Sequence, residues 1–368
     1  MRLAVDATPL LLRSAGVKNY LFYWLRELAR QAGPNLLAPF PALPLPRDLN
    51  HEASIYSRAI TIPRIAALLF THHIHGAPFN WLAGRADIFH ATNMIRYPIS
   101  RARLTATIHD MTCWLMPELH TPANVQADLA FGANILKRAT ALIAVSESSR
   151  IDAINILGLR PERIVTIHSG VPDVYFDVTE TQIAEARRKY ELDKPYVLFV
   201  GTIEPRKNLS TLLEAYRQLP RGTRAEFPLV IIGPMGWAPP AERARIADSG
   251  ARLLGYVPEP ALPALTAGAA VFAYPSLYEG FGFPAGQAMA CGVPVVTSNT
   301  SCLPEITGDG ALHVDPRSAS EIAKALARLL YSRDLRVTVG ARGRLKAANY
   351  RWERTAASSW QFFNAVVQ

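Results

Sequence analysis

Short apolar runs alternate along the whole chain with stretches in which apolar residues recur every three or four positions. The runs at 2–7, 105–109, 141–145, 164–168, 196–200, 229–232, 270–274 and 293–297 read as strands. Between them, 17–30 follows helical spacing through Val17, Leu21, Trp24, Leu25 and Leu28, and 147–157 and 181–190 read as helices. A further helix begins after Asn208, with Leu209, Leu212, Leu213, Tyr216 and Leu219 on one face. Strand-length runs alternating with amphipathic helices predict a parallel α/β architecture.

The alternation lapses after Val171-Pro172-Asp173 and restarts at 196–200, so the boundary between two doubly wound halves is expected near 172–194. A length of 368 residues fits two domains. The 49% hydrophobic and 19% charged composition excludes a disordered or collagenous chain. Cys113, Cys291 and Cys302 have no C-x-x-C spacing, which argues against a disulfide scaffold or cysteine-rich zinc site and for a reducing compartment. Asp6 interrupts the apolar start, which reads as a first strand and not an export signal. The uncharged run 261–278 contains Pro263, Gly268 and Pro275, so it reads as a short helix and a buried strand, and no bilayer crossing is expected.

The net charge is +9, of which residues 1–172 carry +6, from 17 Lys+Arg against 11 Asp+Glu. That excess fits phosphates or an anionic lipid surface; nucleic acid is disfavoured because no Lys/Arg-rich run with interleaved aromatics occurs. In doubly wound sheets, ligands bind beyond the carboxyl ends of the strands, so the residues just after each run are the ones to search.

After 196–200 comes Gly201-Thr202-Ile203-Glu204-Pro205-Arg206-Lys207-Asn208, with Asn208 as the expected N-cap of the next helix. Two cations at a helix start favour an anion such as a diphosphate. After 270–274 comes a loop with Glu279, Gly280, Phe281 and Gly282, and Pro284 opens a helix that Gly292 closes. A carboxylate there can accept hydrogen bonds from sugar hydroxyls, and Gln287 falls about one turn inside the helix. His109-Asp110 ends a strand in the first half, and Gly16 precedes the helix 17–30, where its amide can meet a phosphate. No G-x-x-x-x-G-K-[ST], no G-x-S-x-G, no G-x-G-x-x-G after the first strand and no D-x-D pair occurs. Thr71-His72-His73-Ile74-His75 is a weak candidate metal cluster without H-E-x-x-H spacing.

Together these residues resemble the family-four retaining glycosyltransferases of the GT-B fold (glycosyl transferase group 1). The resemblance rests on Asp6, Gly16-Val17 with Tyr20, Asp87-Ile88-Phe89-His90, His109-Asp110, Val145-Ser146-Glu147, 200–208, Leu254-Gly255-Tyr256-Val257-Pro258, 279–292 and Leu303-Pro304-Glu305. It implies two Rossmann-like doubly wound domains facing a deep cleft. Residues 1–172 would bind acceptor, 173–350 would bind the nucleotide-sugar, and 351–368 would form a helix crossing back to the first domain. It further implies a UDP-, GDP- or ADP-linked sugar as donor and no metal or other cofactor. Transfer would run with retention, a mannose-type hexose going to a glycan or polyprenyl-linked acceptor in polysaccharide or lipopolysaccharide synthesis. Arg206 and Lys207 match the pair that neutralises the donor diphosphate, and Glu279 matches the first acid of the E-x₇-E motif, which holds donor sugar hydroxyls. His109 matches the histidine near the reacting centre. Tyr256 and Val257 match the loop whose backbone meets the nucleobase.

One departure stands out: the second acid of E-x₇-E would fall at position 287, where this chain has Gln287. Losing that charge-assisted bond to the ribose costs about 1–3 kcal/mol, so weaker nucleotide binding is expected. This motivates the competing reading of a non-catalytic sugar-nucleotide binder. A sugar-nucleotide 2-epimerase is a third reading, disfavoured by the intact Glu279–Gly282 run with Arg206 and Lys207. Ile65, Leu68, Leu69, Phe70, Phe79 and Trp81, with Arg64 nearby, are either a membrane-proximal surface or core packing of an irregular helix. The positive first half makes a cytoplasmic enzyme, peripheral on the inner face of the plasma membrane, the expectation.

Overall fold

The computed structural model describes residues 1–14, 16–73, 86–95, 101–239 and 241–368. Among these the chain divides into two compact units, one of Met1–Gly170 with Trp352–Gln368 and one of Val171–Arg351.

The first unit holds a six-stranded sheet of β1 (Arg2–Asp6), β2 (Leu36–Phe40), β3 (Ile88–Ala91), β4 (Arg103–Ile108), β5 (Ala141–Ala144) and β6 (Ile164–Thr166), in the order β2-β1-β3-β4-β5-β6. Every pairing is parallel. The second unit repeats the design with β7 (Val197–Val200), β8 (Leu229–Ile232), β9 (Arg252–Gly255), β10 (Val271–Tyr274), β11 (Val295–Ser298) and β12 (Ala311–Val314), in the order β12-β11-β10-β7-β8-β9, again all parallel. The central strands β7, β8 and β10 carry almost only Val, Ile, Leu, Phe, Ala and Tyr, because helices cover both faces of a parallel sheet. Strand order in each sheet reverses between the first strand and its two neighbours, the arrangement that leaves a ligand crevice at the carboxyl edge.

The helix Trp352–Val367 packs in the first unit, against the helix Gly16–Arg30. Trp24 Nε1 donates to Ser359 Oγ at 3.0 Å, and Trp360 Nε1 donates to the Leu28 carbonyl at 3.1 Å. Thr355 Oγ1 donates to the His168 carbonyl, and the Trp24, Trp360 and Phe363 rings interlock.

The helix Arg58–His73 contains Pro63. Leu68 is buried while Ile62 and Leu69 are exposed. Arg64 is not a free surface cation: its guanidinium donates to the carbonyls of Pro41, Ala42 and Ile60, tying this helix to the turn after β2. The side chains of Phe70, His72 and His73, and His75, Phe79 and Trp81 altogether, lie outside the described residues, so neither the apolar cluster nor the candidate histidine cluster is described in full. Among the described residues no helix is long and apolar enough to cross a membrane.

Candidate active site

The loops after β7 and β8 are zipped together. Gly201 N donates to Ile232 O at 2.9 Å, Ile203 N to Pro234 O at 2.9 Å and Gly236 N to Ile203 O at 3.0 Å. Gly233 is needed for this approach. Its φ is 144°, and a Cβ there would overlap the Gly201 carbonyl oxygen. Pro205–Lys207 then makes one 3-10 turn before the helix Leu209–Arg217.

Asn208 occupies the expected position before that helix but does not cap it with its side chain. It adopts left-handed backbone geometry and donates Nδ2 to the carbonyls of Pro275 and Pro316, at 3.0 and 2.6 Å, while Oδ1 accepts from Thr211. Those bonds lock the turn to the loop after β10, which explains why an amide stands there.

Around that lock four charged side chains converge. Glu279 Oε1 lies 2.7 Å from Lys207 Nζ and accepts from Ser276 Oγ at 2.6 Å and from Tyr274 OH at 2.9 Å. Glu279 Oε2 lies 3.0 Å from Arg206 Nη1, which also donates to the Tyr278 carbonyl at 2.8 Å. Arg206 Nη2 reaches Glu204 Oε1 at 2.8 Å, and Lys207 Nζ donates to Tyr274 OH at 2.7 Å. Gly282, at φ 81°, turns the chain into the helix Phe283–Ala290, with Pro284 in its first turn. The arrangement is largely buried.

Burial alone would raise the Glu279 carboxyl. Arg206 and Lys207, with the hydrogen bonds from Lys207 and Ser276, win and hold it at about 2. Burial and the Glu279 charge push the Tyr274 phenol well up, so it stays protonated and can donate. Two cations and a fixed carboxylate at the carboxyl edge of a parallel sheet can grip an anionic group and accept hydrogen bonds from hydroxyls beside it.

The other residues singled out from the sequence are placed as follows. Tyr256 and Val257 follow β9, two strands from β7, with Gly255 at φ 68° taking a bond from Gly233 N. Tyr256 is partly exposed and Val257 is buried. Gly280 is buried, and Phe281 packs edge-to-face on Tyr350 with centroids 5.6 Å apart, so the Phe281 ring belongs to the core of its unit. Gln287 lies in the helix Phe283–Ala290 and is 9% exposed. Among the described residues no group of three or more His, Cys, Asp or Glu side chains is placed to hold a metal ion.

Gly16 and His109 belong to the first unit. Gly16 opens the helix Gly16–Arg30 and is exposed, with open space where a Cβ would stand. Two residues on, Lys18 is fully buried and donates Nζ to the carbonyls of Asn50 and Ala53 at 2.9 and 2.8 Å, pinning the loop beside the helix start. His109 follows β4, its ring edge-on to Tyr20 with centroids 5.0 Å apart. Burial pushes His109 down to about 4, against the opposing pull of Asp110, so the imidazole is neutral near pH 7. Its buried Nε2 has no hydrogen-bond partner among the described residues. Asp110 Oδ1 is held by the backbone and hydroxyl of Thr112.

Sequence reading passed over Glu204, Tyr274 and Ser276. Each was visible as a polar group at the carboxyl end of β7 or β10, but nothing in the spacing says that Tyr274 and Ser276 aim at Glu279.

Residues 182–346 match the family described as "Glycosyl transferases group 1", and 14–174 match "Glycosyltransferase Family 4". The chain is 36% identical over 272 residues to the O-antigen chain mannosyltransferase B of Escherichia coli, covering 72% of this chain and 71% of that one. The sucrose-phosphate synthase of Thermosynechococcus elongatus superposes with a TM-score of 0.74 at 20% identity, over 100% of this chain and 99% of that one. Anabaena HepE, solved with UDP-glucose, superposes with a TM-score of 0.74 at 18% identity, over 99% of each chain. The protein belongs to the group 1 glycosyltransferases and has their GT-B, two-domain α/β fold.

Proposed function

We propose that the protein transfers mannose from a nucleoside-diphosphate-mannose to a glycan or polyprenyl-linked glycan acceptor in cell-surface polysaccharide synthesis, with retention of configuration and without a metal ion. The observation that carries this reading is the convergence of Arg206 and Lys207 on Glu279. Mannose and the polysaccharide context are supported by the 36% identical O-antigen mannosyltransferase, and a nucleotide-sugar donor by the UDP-glucose in HepE.

In this reaction the bond from the anomeric carbon to the diphosphate oxygen breaks and a bond to the acceptor oxygen forms. The acceptor proton passes to the departing phosphate. Negative charge grows on the leaving group, where Arg206 and Lys207 stabilise it without having to reorganise. These two side chains supply the countercharge for the diphosphate. Glu279 accepts from the donor sugar hydroxyls, and Tyr256 and Val257 offer backbone groups to the nucleobase. Gly280, Phe281 and Gly282 shape the loop against the donor through their backbone, and Gln287 meets the ribose. Gly16 presents an exposed amide at a helix start to a phosphate. His109, neutral at working pH, acts as a hydrogen-bond partner and not as an acid.

A peripheral position on an anionic membrane is the reading that the +6 charge of residues 1–172 and the exposed Ile62 and Leu69 support. Flotation with anionic liposomes tests it, and no binding at low salt counts against it. The transfer itself is tested with GDP-, UDP- and ADP-mannose and a mannose-terminated acceptor in excess chelator. NMR should show an α-linked product from the α-linked donor, and Arg206→Ala with Lys207→Ala should abolish it. Binding without transfer supports the non-catalytic alternative.

A further inference from the structure

Glu204 is the charged member of the cluster that the proposed reaction leaves unused. It lies two residues before Arg206, its side chain is 5% exposed, and its Oε1 takes Arg206 Nη2 at 2.8 Å. The other terminal nitrogen of Arg206 is shared between Glu279 Oε2 and the Tyr278 carbonyl. The guanidinium is thus held at both tips of its fork, by a carboxylate on its own turn and by one on the loop after β10. Glu204 and Glu279 against Arg206 and Lys207 sum to zero charge.

A cluster built only to retain phosphate would bind it better without Glu204. A negative charge one guanidinium away from the phosphate repels it, and poor solvation enlarges that repulsion. A carboxylate in this place therefore does something other than raise affinity. An anchored fork needs no reorientation when charge develops on the leaving group. When a diphosphate arrives it competes with Glu279 for Nη1, while the Nη2 bond to Glu204 holds the guanidinium in its orientation. Grip that is equal for donor and product does not speed the reaction and retains the product.

We propose that Glu204 is a positioning residue that fixes the Arg206 fork for the departing diphosphate, and that its charge limits affinity for the nucleoside diphosphate so that product leaves. This rests on the donor reading above.

The test uses the full chain with Glu204→Gln, which keeps an acceptor but loses the charge, and Glu204→Asp, which keeps the charge but withdraws it by one methylene. Calorimetric titration with GDP, UDP and ADP is paired with steady-state turnover of the matching mannose donor. Glu204→Gln should bind the nucleoside diphosphate about tenfold tighter, with donor KM and kcat both lowered as release slows. Glu204→Asp should keep affinity within about twofold and lose about tenfold in kcat. A carboxylate that served only the fold would instead weaken binding and lower Tm in both variants.

Nucleotide binding no tighter in Glu204→Gln, or wild-type kcat in Glu204→Asp, overturns the inference. Should Glu204→Gln not fold, Glu204→Asp decides: a lower kcat at unchanged affinity and Tm supports the inference, and weaker binding with a lower Tm overturns it. Wild-type protein that binds none of the three nucleotides overturns the donor reading itself, a separate outcome.

Discussion

Lys207 Nζ and Glu279 Oε1 lie 2.7 Å apart although 72 positions separate them in the chain, and the Tyr274 hydroxyl bonds to both. The phenol accepts from the ammonium and donates to the carboxylate, so one oxygen fixes the mutual geometry of a cation and an anion. Tyr274→Phe leaves the ring contact with Lys207 in place and removes only that oxygen. Hydrogen bonds to charged groups contribute about 1.5–3 kcal/mol, so kcat/KM should fall about tenfold or more while the fold is kept. Steady-state kinetics beside a melting curve checks this; an unchanged kcat/KM removes Tyr274 from the account.

The loop after β8 predicts a purely structural failure. Gly233→Ala puts a Cβ into the Gly201 carbonyl at a backbone angle that L-residues rarely adopt. Relief requires parting the bonds that join 201–203 to 232–236, which should cost about 3 kcal/mol or more. Denaturant unfolding measures it, and a loss under 1 kcal/mol shows that the two loops are not so tightly joined.

The turn Pro205–Lys207 shows how far the sequence carries. Arg206, Lys207 and Glu279 stood out because polar residues just past a buried strand face a ligand crevice in any doubly wound sheet. Their mutual bonds were not legible, because contacts between the ends of β7 and β10 depend on strand order, which no local pattern encodes. Three of the four strands that the apolar pattern does not show share a cause. β2, β9 and β12 are sheet edges, where one side is open and Pro39, Arg252 and His313 interrupt the apolar run. β3 is internal, but His90 sits in its four residues, satisfied by the Thr105 and Thr107 hydroxyls. Asn208 stands at the expected N-cap position, but its side chain bonds to two carbonyls of distant loops, which no local pattern shows.

Burial of two imidazoles sets a pH dependence. His109 titrates at about 4 and His90 at about 3 in the fold, against about 6.5 in an unfolded chain. Between those values the unfolded chain binds more protons, so stability should fall as pH drops from about 7 toward 5. His109→Asn should flatten part of that slope, and a Tm that is level from pH 7 to 5 contradicts the burial argument. The same shift means that no limb near pH 6.5 in kcat/KM should vanish on His109→Asn.

Gln287→Glu restores the second acid that the family pattern places one turn into the helix Phe283–Ala290. A carboxylate accepting from ribose hydroxyls should tighten nucleoside diphosphate binding about tenfold. Calorimetry with GDP and with its 2′,3′-dideoxy analogue separates causes: only the former should gain. Equal gains for both would mean that the new charge acts elsewhere.

The proposed transfer requires Arg206 and Lys207 to grip a diphosphate. A crystal structure of the full chain with GDP or UDP tests that most directly. Diphosphate oxygens should lie within about 3.2 Å of Arg206 Nη1 and Lys207 Nζ, with Glu279 loosened from at least one of them. A nucleotide whose diphosphate touches neither cation, with the Glu279 bonds to Arg206 and Lys207 unchanged, would contradict it.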